Sequence, residues 1–552
     1  MAANAAILYH PDGYQTSGPK LMGRQAAGEG FLAGFARHAD VGTYYCLSTA
    51  RDMAERFAAS VMREAPAGRQ VAWIAADAPA RIAEPGCLYL PGPGLSEYAF
   101  QRRAVGQRAY SLCGVTHTTA SAGAMDAIAS LLTGPVQPWD ALICTSGAVL
   151  DTVRQLLESQ AAYLSERLGA ARFTVPQLPV IPLGVDCGAF AGGDAHRAAW
   201  RGRLGIAADD VAVLFMGRLS FHAKANPIPM FQALEKAAAG SGRRVHLIQA
   251  GWFANAFIEN AFKAEAAAWA PSIVHHWLDG RQDEVRRQVW AAADIFTSLS
   301  DNVQETFGLT PIEAMAAGLP VVVSDWDGYK DTVRDGVDGF RVPTWMPPAG
   351  LGTDLAFRHE TGADSYDVYC GMASQFVAVD VDACAEAYGR LIGDAELRRR
   401  MGAAGAARAR EAFDWSVIVA RYQELWAGLA ELRRSAAESA PVAAGRPANP
   451  GRQDPYRLFA GYPTTVLGGD HGVDVREGAG TQELASLLDS PMVKYCAAVL
   501  PSGEEFAALL KAARDPGARA GTIVSAFPEA HRGRLFRGLL WLAKYGLVRL
   551  RR

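Results

Sequence analysis

At 552 residues the chain is too long for one hydrophobic core and predicts two to four domains. Half of its residues are hydrophobic and a fifth are charged, which makes it globular, and a formal net charge of -3 excludes the basic footprint of a general nucleic-acid binder, so no nucleic-acid partner is expected. Eight cysteines are scattered without a CxxC pair or framework spacing, which offers no zinc site and suits a reducing compartment. With no basic region ahead of the short apolar start and no run of roughly 18 apolar residues, the expectation is a cytoplasmic protein, at most peripheral to the inner face of a membrane.

Residues 3–9 predict a first strand, followed by a Gly- and Pro-rich loop from His10 to Arg24 and a helix over residues 25–39. A strand, a glycine loop and a helix at the start of a sheet place a ligand-facing first loop, although neither GxGxxG nor a P-loop is present, which removes the best support for nicotinamide or ATP chemistry. Strands are predicted at residues 43–47, 71–74 and 87–90, then from Ser111 to a strand exit carrying His117, then over residues 140–145, with Ser146 as a helix N-cap. Residues 180–186 read as a hinge, with Asp186 capping or turning. The strand at Val211 ends in Gly217-Arg218, with Lys224 six residues further on, so that a planar fork and a point charge leave one strand end, a pair a diphosphate can use. Strands follow at residues 246–251 and 274–278. Successive strand residues face opposite sides, so the adjacent His275 and His276 are not a metal pair.

The stretch Ser300 to Ser324 reads as a loop and a helix between two apolar strand segments, residues 294–299 before it and Val321 to Val323 near its end. Thr310, Pro311 and Glu313 predict an N-cap, N1 and N3 with a capping box, and Gly318 and Pro320 a stop. The backbone N–H groups of Phe307, Gly308 and Leu309 and the helix dipole then face the carboxyl end of a parallel strand, where anions are cradled, and Glu305 and Glu313 bracket the loop. Asp325-Trp-Asp327 after the next strand has the look of a carboxylate metal motif, but no catalytic metal is expected.

Glu305-Thr-Phe-Gly-Leu-Thr-Pro-Ile-Glu313, continued by Ala-Met-Ala-Ala-Gly-Leu-Pro-Val-Val, resembles the Glu-x7-Glu signature of the retaining glycosyltransferases of family 4, and other pieces match in order from about Ile7 to about Tyr422. The resemblance implies an α/β fold of the GT-B type, two Rossmann-like parallel-sheet domains facing across a cleft. An acceptor-side domain would span residues 1–183, joined by a crossing helix at 413–434 in which Trp415 and Tyr422 pack. A nucleotide-sugar domain would span 184–412. It further implies that Gly18 and Lys20 of the first loop, Gly217, Arg218, Lys224, Thr306, Phe307, Gly308, Leu309 and Glu313 hold the donor. Arg218, Lys224, Glu305 and His117 would carry catalysis, Glu313 on the ribose and Glu305 and His117 on the sugar. The chain departs from the family where Asp-Gly-Tyr-Lys-Asp, residues 327–331, stands in place of a Gly-Gly-x-x-Glu loop. The implied activity is transfer of a sugar, with retention, from a nucleotide-diphosphate donor to a carbohydrate, lipid-linked or protein acceptor, without a cofactor. The alternatives are a nucleotide-sugar epimerase or phosphorylase of the same architecture, or a non-catalytic nucleotide-sugar binder whose terminal module binds a partner.

A Gly- and Pro-rich insertion at residues 343–362 is expected as a surface loop near the cleft, and residues 379–412 are expected to be helical. Residues 435–455 read as a linker. Residues 456–552 read as a small helical, winged-helix-like extension with helices at 481–488, 504–514 and 529–545 and a strand at 547–550. Its basic end, from Arg532 through Arg534, Arg537, Lys544, Arg549 and Arg551 to Arg552, reads as a solvated face or a self-association surface, which leaves a homo-oligomer open.

Overall fold

The computed structural model describes residues 3–15, 23–190 and 193–552. The chain divides into one unit at Met1–Pro450 and a second at Gly451–Arg552. Gly18 and Lys20 lie outside the described residues.

The first unit holds two six-stranded parallel sheets. Strands β1 (Ala6–Leu8), β2 (Thr43–Ser48), β3 (Gln70–Ala75), β4 (Cys87–Leu90), β5 (Ser111–Val115) and β6 (Ala141–Ile143) line up in the order β3-β2-β1-β4-β5-β6. Strands β7 (Val211–Met216), β8 (Val245–Gly251), β9 (Val274–Asp279), β10 (Ile295–Ser298), β11 (Val321–Ser324) and β12 (Gly339–Val342) repeat it in the order β12-β11-β10-β7-β8-β9. Helices cover both faces, so strands β4 to β7, β10 and β11 are buried residue by residue, which is why they read as unbroken apolar runs rather than alternating ones. Each order reverses once, between β1 and β4 and between β7 and β10, and a crevice at that reversal is where open sheets of this kind take ligands. This is the doubly wound GT-B arrangement.

Two chain crossings join the sheet domains. Val185 N–H donates to Phe413 O at 2.8 Å and Trp415 N–H to Val185 O at 3.2 Å, a paired bridge that starts the helix Trp415–Ser435. The Trp415 ring fills a slot where a Cβ on Gly34 or Gly184 would stand 2.5 or 2.4 Å from it. Tyr422 and Trp426 continue the face into Phe31, Phe35 and Tyr89, so Trp415 and Tyr422 are packing residues.

One local expectation, the surface loop at residues 343–362, is corrected. The stretch 379–412 is two helices, Val381–Gly393 and Ala395–Arg408, because Asp394 turns out of the helix at φ -121° and its carboxylate caps the second one at Leu397 N. The insertion is not a loop: Thr344–Trp345 pairs with Ala378–Val379, and between them stand helices Thr353–Glu360 and Tyr366–Ser374. Residues of the 435–455 stretch are held by side chains of the first domain, Arg103 on Ala448 O, Gln107 on the carbonyls of Ser439 and Ala440, and Gln137 on Ser439.

The second unit has its own core, built from Val473, Phe506, Leu509, Leu535, Leu539 and Leu542, with an antiparallel pair, β15 (Gly472–Val475) and β16 (Val548–Arg551), numbered after the β13 and β14 pair of the insertion. Four of its basic residues are spoken for internally: Arg532 on Phe527 O, Arg534 on Glu505, Arg551 on Asp474 and Arg552 on Thr465. No helix among the described residues is long and apolar enough to cross a membrane.

Candidate functional site

The second sheet's reversal places the turn after β7 beside the loop after β10. Gly217 N–H continues the ladder onto Ala250 O, and the chain then folds back so that Lys224 N–H reaches Ser220 O. Side chains of the 300–305 segment pin this turn. Ser300 Oγ donates to Lys224 O, Asn302 Nδ2 to His222 O at 3.0 Å, and Asp301 Oδ2 accepts from Asn226 N–H at 3.3 Å. Burial pushes the Asp301 carboxyl up to about 7.

Both predicted cations meet the loop. Arg218 Nη2 donates to Gln304 Oε1 at 3.0 Å and to Ala223 O at 2.6 Å, while Lys224 forms an ion pair with Glu305. Burial alone would pull the Lys224 ammonium down and push the Glu305 carboxyl up, but each outweighs this for the other, leaving Lys224 raised and Glu305 lowered. Glu305 also accepts from Thr306 N–H at 3.3 Å, and the Phe307 N–H helps hold it low. The Lys224 ammonium and the Thr306 amide thus both face the Glu305 carboxylate.

The helix starts earlier than its sequence signature. It runs Leu309–Ala316 with Gly308 as N-cap at φ 83°, and no side chain caps it. Thr310 Oγ1 is buried without a partner, so the Thr310 to Glu313 capping box does not form. Glu313, freed from capping, is half-buried, and burial raises its carboxyl to about 7 against the opposing pull of Arg286 and Lys224. A carboxyl whose folded value is raised binds more protons folded than unfolded, so its contribution to stability falls as pH climbs from the ordinary carboxylate range to about 7. Glu313→Gln is accordingly expected to stabilise the unliganded protein relative to wild type at pH 8 and to match it at pH 4, by about 1–3 kcal/mol at the higher pH, measured by urea unfolding at both.

The first sheet domain closes the other side. His117 follows β5, its carbonyl accepts from Thr306 Oγ1 at 3.3 Å, and Thr145 Oγ1 donates to Thr306 O at 3.4 Å. Burial, with Arg24 adding to it, lowers the His117 imidazole to about 4, so it is neutral at pH 7. Ser146 is the expected N-cap, accepting from Val149 N–H at 3.2 Å. Sequence reading missed what faces it. Asp327 Oδ1 accepts from Ser146 Oγ at 3.2 Å, and Asp331 Oδ2 accepts from Gly147 N–H at 2.6 Å. Asp327 adopts φ 44° where glycine is at home, and burial, reinforced by the charge of Glu305, raises its carboxyl to about 8. The signal was the departure from Gly-Gly in that loop. His276 turns to His246 at 3.0 Å and His275 to Ala270 O at 3.1 Å, on opposite faces of the strand.

Two cations and a helix start thus stand together at one reversal point of a doubly wound sheet. Residues 196–346, which hold Arg218, Lys224 and the Glu305 to Glu313 loop, match the family described as Glycosyl transferases group 1. Among curated relatives, a D-inositol 3-phosphate glycosyltransferase from Nocardia farcinica is 31% identical over 259 residues, 47% of this chain and 48% of its own length. One of the same name from Saccharomonospora viridis is 36% identical over 166 residues, 29% of this chain and 37% of its own length. The chain spans about half, or less, of the length of these relatives. Among solved structures, HepE from Anabaena in complex with UDP is 16% identical and covers 77% of this chain and 100% of its own, with a TM-score of 0.49.

Proposed function

We propose that the chain is a retaining glycosyltransferase that moves a sugar from a nucleoside-diphosphate donor to a hydroxyl of an acceptor. The observation that supports it best is the meeting of Arg218, Lys224 and the 305–309 loop at the reversal between β7 and β10. Positive charge fixed there in advance stabilises the diphosphate as it gains charge, the kind of contribution that dominates many enzymes. In this reading the bond from the anomeric carbon to the phosphate oxygen breaks and its electron pair stays on that oxygen. The acceptor oxygen bonds to the same face of the carbon, and the acceptor's proton passes to the departing phosphate. Glu313 holds ribose hydroxyls, Glu305 sugar hydroxyls once the diphosphate takes over Lys224, and neutral His117 hydrogen-bonds the sugar without competing for the phosphate. No metal or cofactor enters.

Because relatives are D-inositol 3-phosphate glycosyltransferases and HepE is solved with UDP and with UDP-glucose, UDP-glucose heads the donor panel and D-inositol 3-phosphate the acceptor panel, followed by carbohydrate, lipid-linked and protein acceptors. Calorimetry across nucleotide sugars names the base and sugar, and analysis of the product anomer tests retention. Arg218→Ala and Glu305→Ala are each expected to lower kcat/KM by about 100-fold or more. Full transfer by both variants would show that the cleft has been assigned wrongly.

A further inference from the structure

The insertion lies almost wholly beyond the matched residues 196–346, and its second helix, Tyr366–Ser374, touches both walls of the cleft. On one side Gly371 sits against His222, where a Cβ would be 2.8 Å from the histidine Cβ; His222 belongs to the turn that carries Arg218 and Lys224. On the other side the hydroxyls of Tyr366 and Thr118 share a hydrogen bond at 3.2 Å, and Thr118 directly follows His117. The insertion is braced for this reach. Arg358 grips Asp364 with two hydrogen bonds of 2.7 and 2.8 Å, and His359 stacks on Tyr369 at 4.4 Å. Burial raises the Tyr366 phenol above its ordinary value, so it keeps its proton.

We propose that Tyr366 is a specificity-determining residue that closes the acceptor side of the cleft, so that the sugar goes to an acceptor hydroxyl rather than to water. This rests on the donor reading above. A second-domain helix seated on the cation turn is already in register with the donor, and its bond to Thr118 adds, next to His117, to the ties that Thr306, Asp327 and Asp331 make with the first domain. An acceptor must part that hydroxyl pair and replace its hydrogen bond, whereas water gains entry whenever the pair is absent. Excluding water in this way prevents loss of an activated group.

The test uses the full chain with Tyr366→Phe, Thr118→Val and the double variant. Without ligand, amide hydrogen exchange in Tyr366–Ser374 is expected to quicken in both single variants and to be no faster in the double, since one bond is lost in each. With UDP-glucose and no acceptor, Tyr366→Phe is expected to release UDP about 5-fold faster, the worth of one hydrogen bond, with UDP affinity unchanged. Unchanged exchange in the singles, additive exchange in the double, or unchanged UDP release overturns the proposal, as does a loss of UDP affinity, which marks a purely structural helix. If the wild type binds no nucleotide sugar in the panel, the donor reading fails and takes the sorting role with it, while exchange still reports whether the bond closes the mouth.

Discussion

Lys224→Met is expected to lower the stability of the first unit by about 2–4 kcal/mol and to abolish nucleotide binding. Its side chain is only 20% exposed and that of the partner Glu305 14%, so removing the cation leaves a charge that water reaches poorly and that the Thr306 amide only partly satisfies. A buried ion pair is weak support for a fold in itself, but removing one member costs more than the pair contributes. The double variant Lys224→Met with Glu305→Gln should therefore recover most of the lost stability while remaining unable to bind nucleotide. Urea unfolding of the three proteins measures the first, and calorimetry with UDP the second. Glu305 is lowered, so its contribution is present above the ordinary carboxylate range and is lost as pH falls through its folded value. Lys224 is raised, so its contribution is present below the ordinary amine range and is lost as pH rises through its folded value. Between about pH 5 and 9 the effect should be flat. A variant as stable as wild type would mean that Glu305 finds its balance elsewhere.

Gly308→Ala should be the most damaging substitution of a single methyl group in the cleft. The new Cβ would lie 1.9 Å from Tyr329 Cε1, and the backbone at φ 83° is already one that side chains resist. Tyr329 has nowhere to withdraw: it is fully buried, and its hydroxyl shares a hydrogen bond with Ser298 at 2.8 Å. The loop must yield instead, moving the Phe307 amide that holds Glu305. The expected cost is about 2–4 kcal/mol, overpacking and backbone strain together, with loss of nucleotide binding. Gly318→Ala is the control. Its φ is 80° but nothing stands within 4 Å, so only backbone strain of about 1 kcal/mol applies. Equal melting temperatures for the two variants would show that the contact with Tyr329 is not rigid.

What the sequence disclosed and what it hid divide along a physical line. The apolar runs of β7, β10 and β11, and the Gly217-Arg218 and Glu305 to Glu313 motifs at their ends, placed the cations and the loop at one reversal point, because strand order of this kind leaves few alternatives. Contacts made across space were hidden. Thr310 and Glu313 have the spacing of a capping box, but with Gly308 packed under Tyr329 the helix starts two residues sooner than that local signal allows. The pairing of Lys224 with Glu305 joins residues 81 positions apart, and nothing local announces that this cation is engaged by a carboxylate. Asp327 and Asp331 read only as a departure from a Gly-Gly-x-x-Glu loop until the start of the helix Gly147–Leu168 is seen opposite them. The insertion looked like a loop because its glycines and prolines precede its two helices.

The bridge in which Val185 exchanges hydrogen bonds with Phe413 and Trp415 limits how the two sheet domains can separate. Strands bonded side by side resist sliding, since every bond would have to break together, yet they bend easily. With Trp415 wedged between Gly34 and Gly184 as an axle, the motion left to the molecule is a swing about one line. Opening would then be a single-coordinate event, and every polar tie across the mouth would release in one stroke rather than in succession.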